Sequence, residues 1–321
     1  MKKLRMGILV FFLAGSLAAC DTQDDDKEET GSQSEEMVTG ESIRFGVLPA
    51  ESAIPIIIAN EKGFFEEEGA SVEIESFSSP NDRNIAIQSE TLDGAISDVM
   101  TEATFKENGV DMMITSGILE DFKILASPQS GITEIKELTD KKITLVPNFI
   151  LEYIMDKFAE EEDFTYEVVN IPSFATRSEA LLKGEVDAAV YTEPQASMLA
   201  EQGAVILGSS KEAEIIGGTI QFMDDILEER PQDIKAFYIG YNKAIDYMNE
   251  HEASEYSDIL SKYQFPDAMS TYLDTQDEIY PYAQAVEKTQ FEEIIEWAKS
   301  KKQINQDYAY NTLTDFSYIE E

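Results

Sequence analysis

Residues 42–69 read Ser42-Ile43-Arg44-Phe45-Gly46-Val47-Leu48-Pro49-Ala50-Glu51-Ser52-Ala53-Ile54-Pro55-Ile56-Ile57-Ile58-Ala59-Asn60-Glu61-Lys62-Gly63-Phe64-Phe65-Glu66-Glu67-Glu68-Gly69. Residues 43–48 have the apolar make-up of a strand, and Pro49, which cannot donate to a sheet ladder, ends it. Residues 54–68 read as a helix, and Gly69 supplies the left-handed residue that closes one. A short strand running straight into a helix is the building unit of an α/β layer.

The same unit recurs along the chain. Strands are expected at 72–77, 94–96, 112–115 and 124–126, with helices from 82 to about 90 and at 100–107. Ser127-Pro128-Gln129-Ser130-Gly131 is rich in turn formers and reads as a break. A second series follows, with strands at 142–146, 166–171, 188–191 and 205–207 and helices at 149–160, 175–183 and 196–202. A polar, glycine-containing passage at 208–218 precedes a strand at 219–223, and the rest is mainly helical. The expectation is an α/β protein of two lobes, each a mixed sheet flanked by helices. Lobe one takes residues 43–127 and 219–321, and lobe two takes 128–218. The chain crosses between them near 127–130 and 208–218, and the helical tail packs on lobe one.

Upstream lies an export signal. Lys2, Lys3 and Arg5 precede an apolar run from Gly7 to Leu17, and small residues lead to Cys20, the single cysteine. The run is well short of the roughly 20 residues a membrane-spanning helix needs. Residues 1–19 therefore read as removable, and the pattern resembles a bacterial lipoprotein signal in which Cys20 is lipidated. An ordinary secreted protein with a stray thiol is the alternative. Residues 20–42 hold nine acids among Thr, Ser, Gln and Gly, which suits a flexible tether rather than a packed segment. An EF-hand loop fails there because Asp26 stands where the turn needs glycine.

The formal net charge of the 321 residues is −40, and loss of residues 1–19 would leave −43. Such a surface repels phosphate backbones, so no nucleic-acid partner is expected. An acidic coat also suits a saline or alkaline habitat. A lone cysteine permits no internal disulfide, and one histidine, His251, cannot serve a nucleophilic triad. No Gly-x-Ser-x-Gly elbow and no usual His/Cys metal spacing occurs. The chain is therefore expected to be a non-enzyme without cofactor or metal. A carboxylate-only enzyme and a sensor module using the same cleft are the alternatives.

Three ordered strings carry a family resemblance. They are Gly46-Val47-Leu48-Pro49 with Ile58-Ala59-Asn60-Glu61-Lys62-Gly63-Phe64-Phe65, then Leu92-Asp93-Gly94-Ala95-Ile96-Ser97-Asp98, then Leu181-Leu182-Lys183-Gly184-Glu185-Val186-Asp187-Ala188-Ala189 with Glu193-Pro194. Together they resemble the nitrate/sulfonate/taurine and thiamine-pyrimidine-precursor group of solute-binding proteins that feed ABC importers. The resemblance covers residues 43–321, more loosely after Glu250. It implies a two-lobed periplasmic-binding-protein-like (type II) fold that closes on a solute. It also implies an extracytoplasmic, lipid-anchored monomer with ABC permease subunits as partners.

In open α/β sheets the binding crevice lies beyond the carboxyl ends of the strands. The candidates there are Glu51, Ser52, Ser79, Asn81, Ser97 and Asp98 in lobe one, and Asn148, Phe149, Ser173, Phe174, Thr192 and Glu193 in lobe two. Hydroxyls and amides would orient a polar ligand, and the phenylalanines would stack on a planar one. Each Ser, Asn, Asp or Thr has an equally good reading as a helix cap. Three acids in these loops discourage an anion, and Arg83 and Arg177 fall inside predicted helices that can face solvent. A neutral or amine-bearing heteroaromatic solute is therefore expected, with a sulfonate, taurine or nitrate-like anion as the alternative.

Overall fold

A computed structural model describes residues 37–118, 120–276 and 280–319. The expected signal peptide, Cys20 and most of the tether lie outside the described residues. Strand β1 (Ser42–Val47) buries Ile43, Phe45 and Val47 and leaves Arg44 outward. The helix expected after it is split, because Gly63 takes φ +79° between α1 (Ile54–Glu61) and α2 (Phe64–Glu67). Only glycine adopts that backbone without penalty. β2 (Ser71–Ser76), α3 (Pro80–Gln88), β3 (Gly94–Asp98), α4 (Val99–Glu107) and β4 (Met112–Gly117) follow.

β5 (Phe122–Ala126) opens the second series, which continues with β6 (Lys141–Leu145), α5 (Ile150–Glu161), β7 (Tyr166–Asn170), α6 (Phe174–Leu182), β8 (Ala188–Thr192), α7 (Gln195–Glu201) and β9 (Val205–Ser209). The chain returns through β10 (Gly218–Met223), α8 (Asp224–Glu229) and the long α9 (Pro231–Glu250). It ends in α10 (Ser257–Lys262), α11 (Asp267–Asp274), α12 (Lys288–Ser300) and α13 (Tyr310–Leu313).

The strands form two five-stranded sheets of matching order, β2-β1-β3-β10-β4 and β7-β6-β8-β5-β9. In each, three strands run parallel and a strand arriving from the other lobe pairs antiparallel beside the third. The first crossing corrects the sequence reading. β4 pairs in the first sheet and β5 in the second, so the chain changes lobe between Gly117 and Phe122, ahead of the turn at 127–130. The return falls between Ser209 and Gly218, within the expected passage.

The first core gathers Phe45, Phe65, Phe222 and Phe237, with Phe65 stacked on Phe237 at 4.9 Å and Phe222 edge-on to it at 5.2 Å. Each buried ring or isoleucine contributes about 2 kcal/mol. The second core joins the lobes: Val99 and Met100 of α4, Ile143 and Ile154 of lobe two, and Phe291 and Ile294 of α12 share one cluster. The tail therefore packs on both lobes, not on lobe one alone. Lys301, just past α12, pairs with Glu152 (2.7 Å) and Asp156 (2.6 Å), and Trp297 Nε1 donates to Asp156 at 2.8 Å.

The last residues of the expected tether are fixed. Thr39 donates through its backbone N (2.6 Å) and Oγ1 (2.5 Å) to the buried Asp233 of α9. Arg230 donates to the same carboxylate and to the Glu41 carbonyl. Ser42 already belongs to β1, so any free leash ends before Thr39.

Candidate functional site

The carboxyl ends of β1, β3, β6 and β8 converge on one partly open cavity of about 60 Å3, lined also by residues of α3 and α6 and by Glu120 and Phe122. Most of its wall is apolar, including Leu48, Ile96, Phe122, Val146, Leu151 and Val190. Loops at strand ends place side chains here because successive strand termini fan over the same crevice. The lobes also touch directly: Glu51 N donates to the Glu193 carbonyl (3.1 Å), and Gln195 Nε2 to that of Pro49 (3.3 Å).

Four charged side chains line this cavity. Arg177, only 1% exposed, lies over the rings of Phe174 (5.0 Å) and Tyr191 (4.7 Å), and burial pulls its pKa down. Its Nε and Nη1 have no hydrogen-bond partner among the described residues. Arg83 donates to the Ile96 carbonyl (2.7 Å) and to Asn84. Asp98 caps α4 by accepting from Thr101 N (2.8 Å), and burial raises its pKa against the pull of Arg83. Glu120, partly exposed, accepts from Ser52 Oγ at 2.5 Å; desolvation lifts it to about 7. Ser97 Oγ of β3 and Thr192 Oγ1 of β8 are buried in the cavity lining and also lack partners among the described residues. A buried polar group left unpaired costs free energy, so such a set marks where a ligand's own groups belong.

Among the sequence candidates, Ser52, Ser97, Asp98, Phe149, Phe174 and Thr192 line the cavity. Ser79 and Ser173 do not; each accepts from a backbone N three residues on, as a helix cap. Glu51 is buried beside the cavity, where Tyr280 (3.0 Å) and Tyr272 (3.3 Å) donate to it and desolvation raises it to about 7. Glu193 accepts from Ser197 N at the start of α7 and is raised mainly by burial. Asn81 and Asn148 line a separate open groove of about 480 Å3 along the interlobe flank, with Asn84, Gln88, Asn170 and Lys302; Phe149 borders both spaces.

Sequence reasoning overlooked Glu120 and Tyr191, and it set the two arginines aside as helix residues that can face solvent, whereas both line the cavity. A signal was available: Ser79-Pro80-Asn81-Asp82-Arg83 and Ser173-Phe174-Ala175-Thr176-Arg177 repeat Ser-x-x-x-Arg at the same place in each lobe. The cap fixes the first turn, and the arginine one turn on lies on its inner side.

Two lobes around a mostly apolar cavity with unpaired polar groups define a ligand-binding class of protein. The chain belongs to the NMT1/THI5-like family, whose profile matches residues 50–254. A Bacillus subtilis (strain 168) protein named as a candidate aliphatic sulfonates-binding protein is 28% identical over 235 residues, covering 68% of this chain and 69% of that protein. A Saccharomyces cerevisiae protein named 4-amino-5-hydroxymethyl-2-methylpyrimidine phosphate synthase THI13 is 26% identical over 223 residues. That match covers 62% of this chain and 64% of the yeast protein, just under two thirds of its length. The alkanesulfonate-binding protein SsuA from Xanthomonas axonopodis pv. citri, solved with MOPS, superposes with a TM-score of 0.74 at 14% identity, over 85% of this chain and 98% of that one. At that identity the likeness concerns the fold.

Proposed function

We propose that this protein captures a small organic solute between its lobes, outside the cytoplasm, and delivers it to the permease of an ABC importer. The observation that carries this reading is the set of unpartnered buried groups on one cavity: Ser97 Oγ, Thr192 Oγ1, and Nε and Nη1 of Arg177. A bound solute would satisfy them, and better contacts in the closed form are what hold such lobes together. The lobes divide at 117/122 and 209/218 in this reading, and the protein works as a monomer lipidated at Cys20. The sulfonate-binding name of the Bacillus relative supports capture, while the synthase name of the yeast relative keeps catalysis as the competing class. The cavity wall carries neither His nor Cys among the described residues, and His251 stacks on Tyr247 at 4.1 Å far along α9. Both facts favour capture.

Arg177 also revises the ligand expectation. A guanidinium with free donors welcomes an acceptor or anion, so the solute need not be neutral. A thermal-shift screen of metabolites, followed by calorimetry and small-angle scattering, tests the reading. A hit that compacts the protein without being consumed is expected; turnover of the hit would favour the enzyme. Metabolic labelling with palmitate should mark the wild type and miss Cys20→Ser.

A further inference from the structure

The open groove beside the cavity departs from the rest of the chain in charge. Asp and Glu make up 64 of the 321 residues, yet none of the fourteen residues lining the groove is an acid. Six side-chain amides stand there instead. Asn81, Asn84 and Gln88 fall three and four residues apart and so share one face of α3. Asn148 and Asn170 belong to lobe two, and Gln303 lies just past α12. The groove and the cavity have only Val146 and Phe149 in common.

Most of these amides are uncommitted. Among the described residues, the side chains of Asn81, Gln88, Asn148 and Asn170 make no hydrogen bond, and Gln303 Nε2 and Thr101 Oγ1 are buried without a partner. Asn148 is also held in place: it takes φ +70°, its backbone N donates to Glu152 at 2.6 Å, and Lys301 pairs with that carboxylate at 2.7 Å. Residues fixed in so sparsely populated a conformation gather at binding sites. Glu152 and Asp156 neutralise Lys301, and Lys302 is exposed, so its charge is met by water.

We propose that the groove is a second binding site, for a neutral polyhydroxylated solute: a saccharide of one or two rings lying between α3 and the 146–149 loop. Each amide offers donors and an acceptor, as each sugar hydroxyl does, so the two sets can satisfy one another without charge. A cation would meet no carboxylate there, and an anion would face amide carbonyls with only a solvated lysine to offset it. Phe149, half-buried at the edge, supplies an apolar surface for one face of a ring. The volume of about 480 Å3 lies within the roughly 300–1,000 Å3 of small-molecule sites. Because α3 belongs to lobe one and Asn148 and Asn170 to lobe two, a bound saccharide would bridge the lobes from outside the cavity. The site goes beyond solute capture and does not depend on what the cavity carries.

Calorimetry and saturation-transfer NMR with glucose, maltose, cellobiose and N,N′-diacetylchitobiose test this, with butyrate and butylamine as charged controls. At least one saccharide should bind, and neither control should. The double variant Gln88→Ala/Asn170→Ala changes two exposed residues outside the cavity and should weaken that binding about tenfold or more. Arg177→Met, in the cavity, should leave it unchanged; if that variant fails to fold, Thr192→Val takes its place. Silence from all four saccharides overturns the proposal, as does a control that binds as tightly as they do. Binding that survives the double variant, or that vanishes with the cavity variant, overturns it too and would make the saccharide the cavity's own solute. Solute capture stands or falls separately, on the metabolite screen.

Discussion

Glu51 holds an unusual carboxyl for so acidic a chain. It is buried, its neighbours are tyrosine hydroxyls, and its pKa stands near 7 through desolvation. A carboxyl raised in the folded state binds a proton that the unfolded chain has already released, so its stabilisation is complete below the ordinary carboxyl range and fades as pH climbs to 7. The loss should be roughly 3 kcal/mol for Glu51 between pH 4.5 and pH 8. Glu120 shifts the same way but contributes less because it is partly open to solvent. Denaturant melts across that range should show the decline, and Glu51→Gln should flatten it. The serines make a complementary case. Ser79→Ala and Ser173→Ala should each cost about 1 kcal/mol in stability as lost caps, with ligand affinity unchanged. A drop in affinity with stability intact would return them to the binding surface.

At the scale of elements, much was legible before any coordinates. Every strand of both sheets falls within two residues of its expected place, because short apolar runs bounded by Gly, Pro and Asp leave few alternatives. Sheet membership was not legible. β4 and β5 are consecutive, and nothing in Phe122-Lys123-Ile124-Leu125-Ala126 says which sheet it will join. The turn at 127–131 punctuates the chain more strongly than the true crossing does, so the boundary was set one strand late. The site was half legible for a related reason. Residues beyond strand ends are marked by position, whereas Arg83 and Arg177 reach the cavity from helix interiors. Close packing between strands is readable at Gly94, where a Cβ would come within 2.7 Å of the Phe222 ring and 2.8 Å of the Gln221 carbonyl. Backbone cannot yield as a side chain can, so Gly94→Ala should destabilise by about 2–3 kcal/mol. Chemical denaturation of that variant gives the number.

For the whole molecule, charge and connectivity matter most. With −40 on 321 residues, self-repulsion opposes the compact state. Melting temperature should therefore rise from low to high salt; indifference would remove the case for a saline habitat. Connectivity makes lobe two an insertion: it leaves lobe one after Gly117 and returns before Gly218. Inserted domains often melt independently, but here α12 lays Phe291 and Ile294 into a cluster shared by both lobes. Scanning calorimetry should record one endotherm for the wild type, and Phe291→Ala should lower and broaden it toward two.

That shared helix acts as the spine of a book. The pages can swing, but along the bound edge they cannot part without tearing apolar stitching that both covers need. Any gape must widen on the side away from that helix; where Glu51 meets Glu193 across the lobes, a single backbone bond joins the two. A reader's thumb goes in at that side, and so, on this geometry, does the cargo.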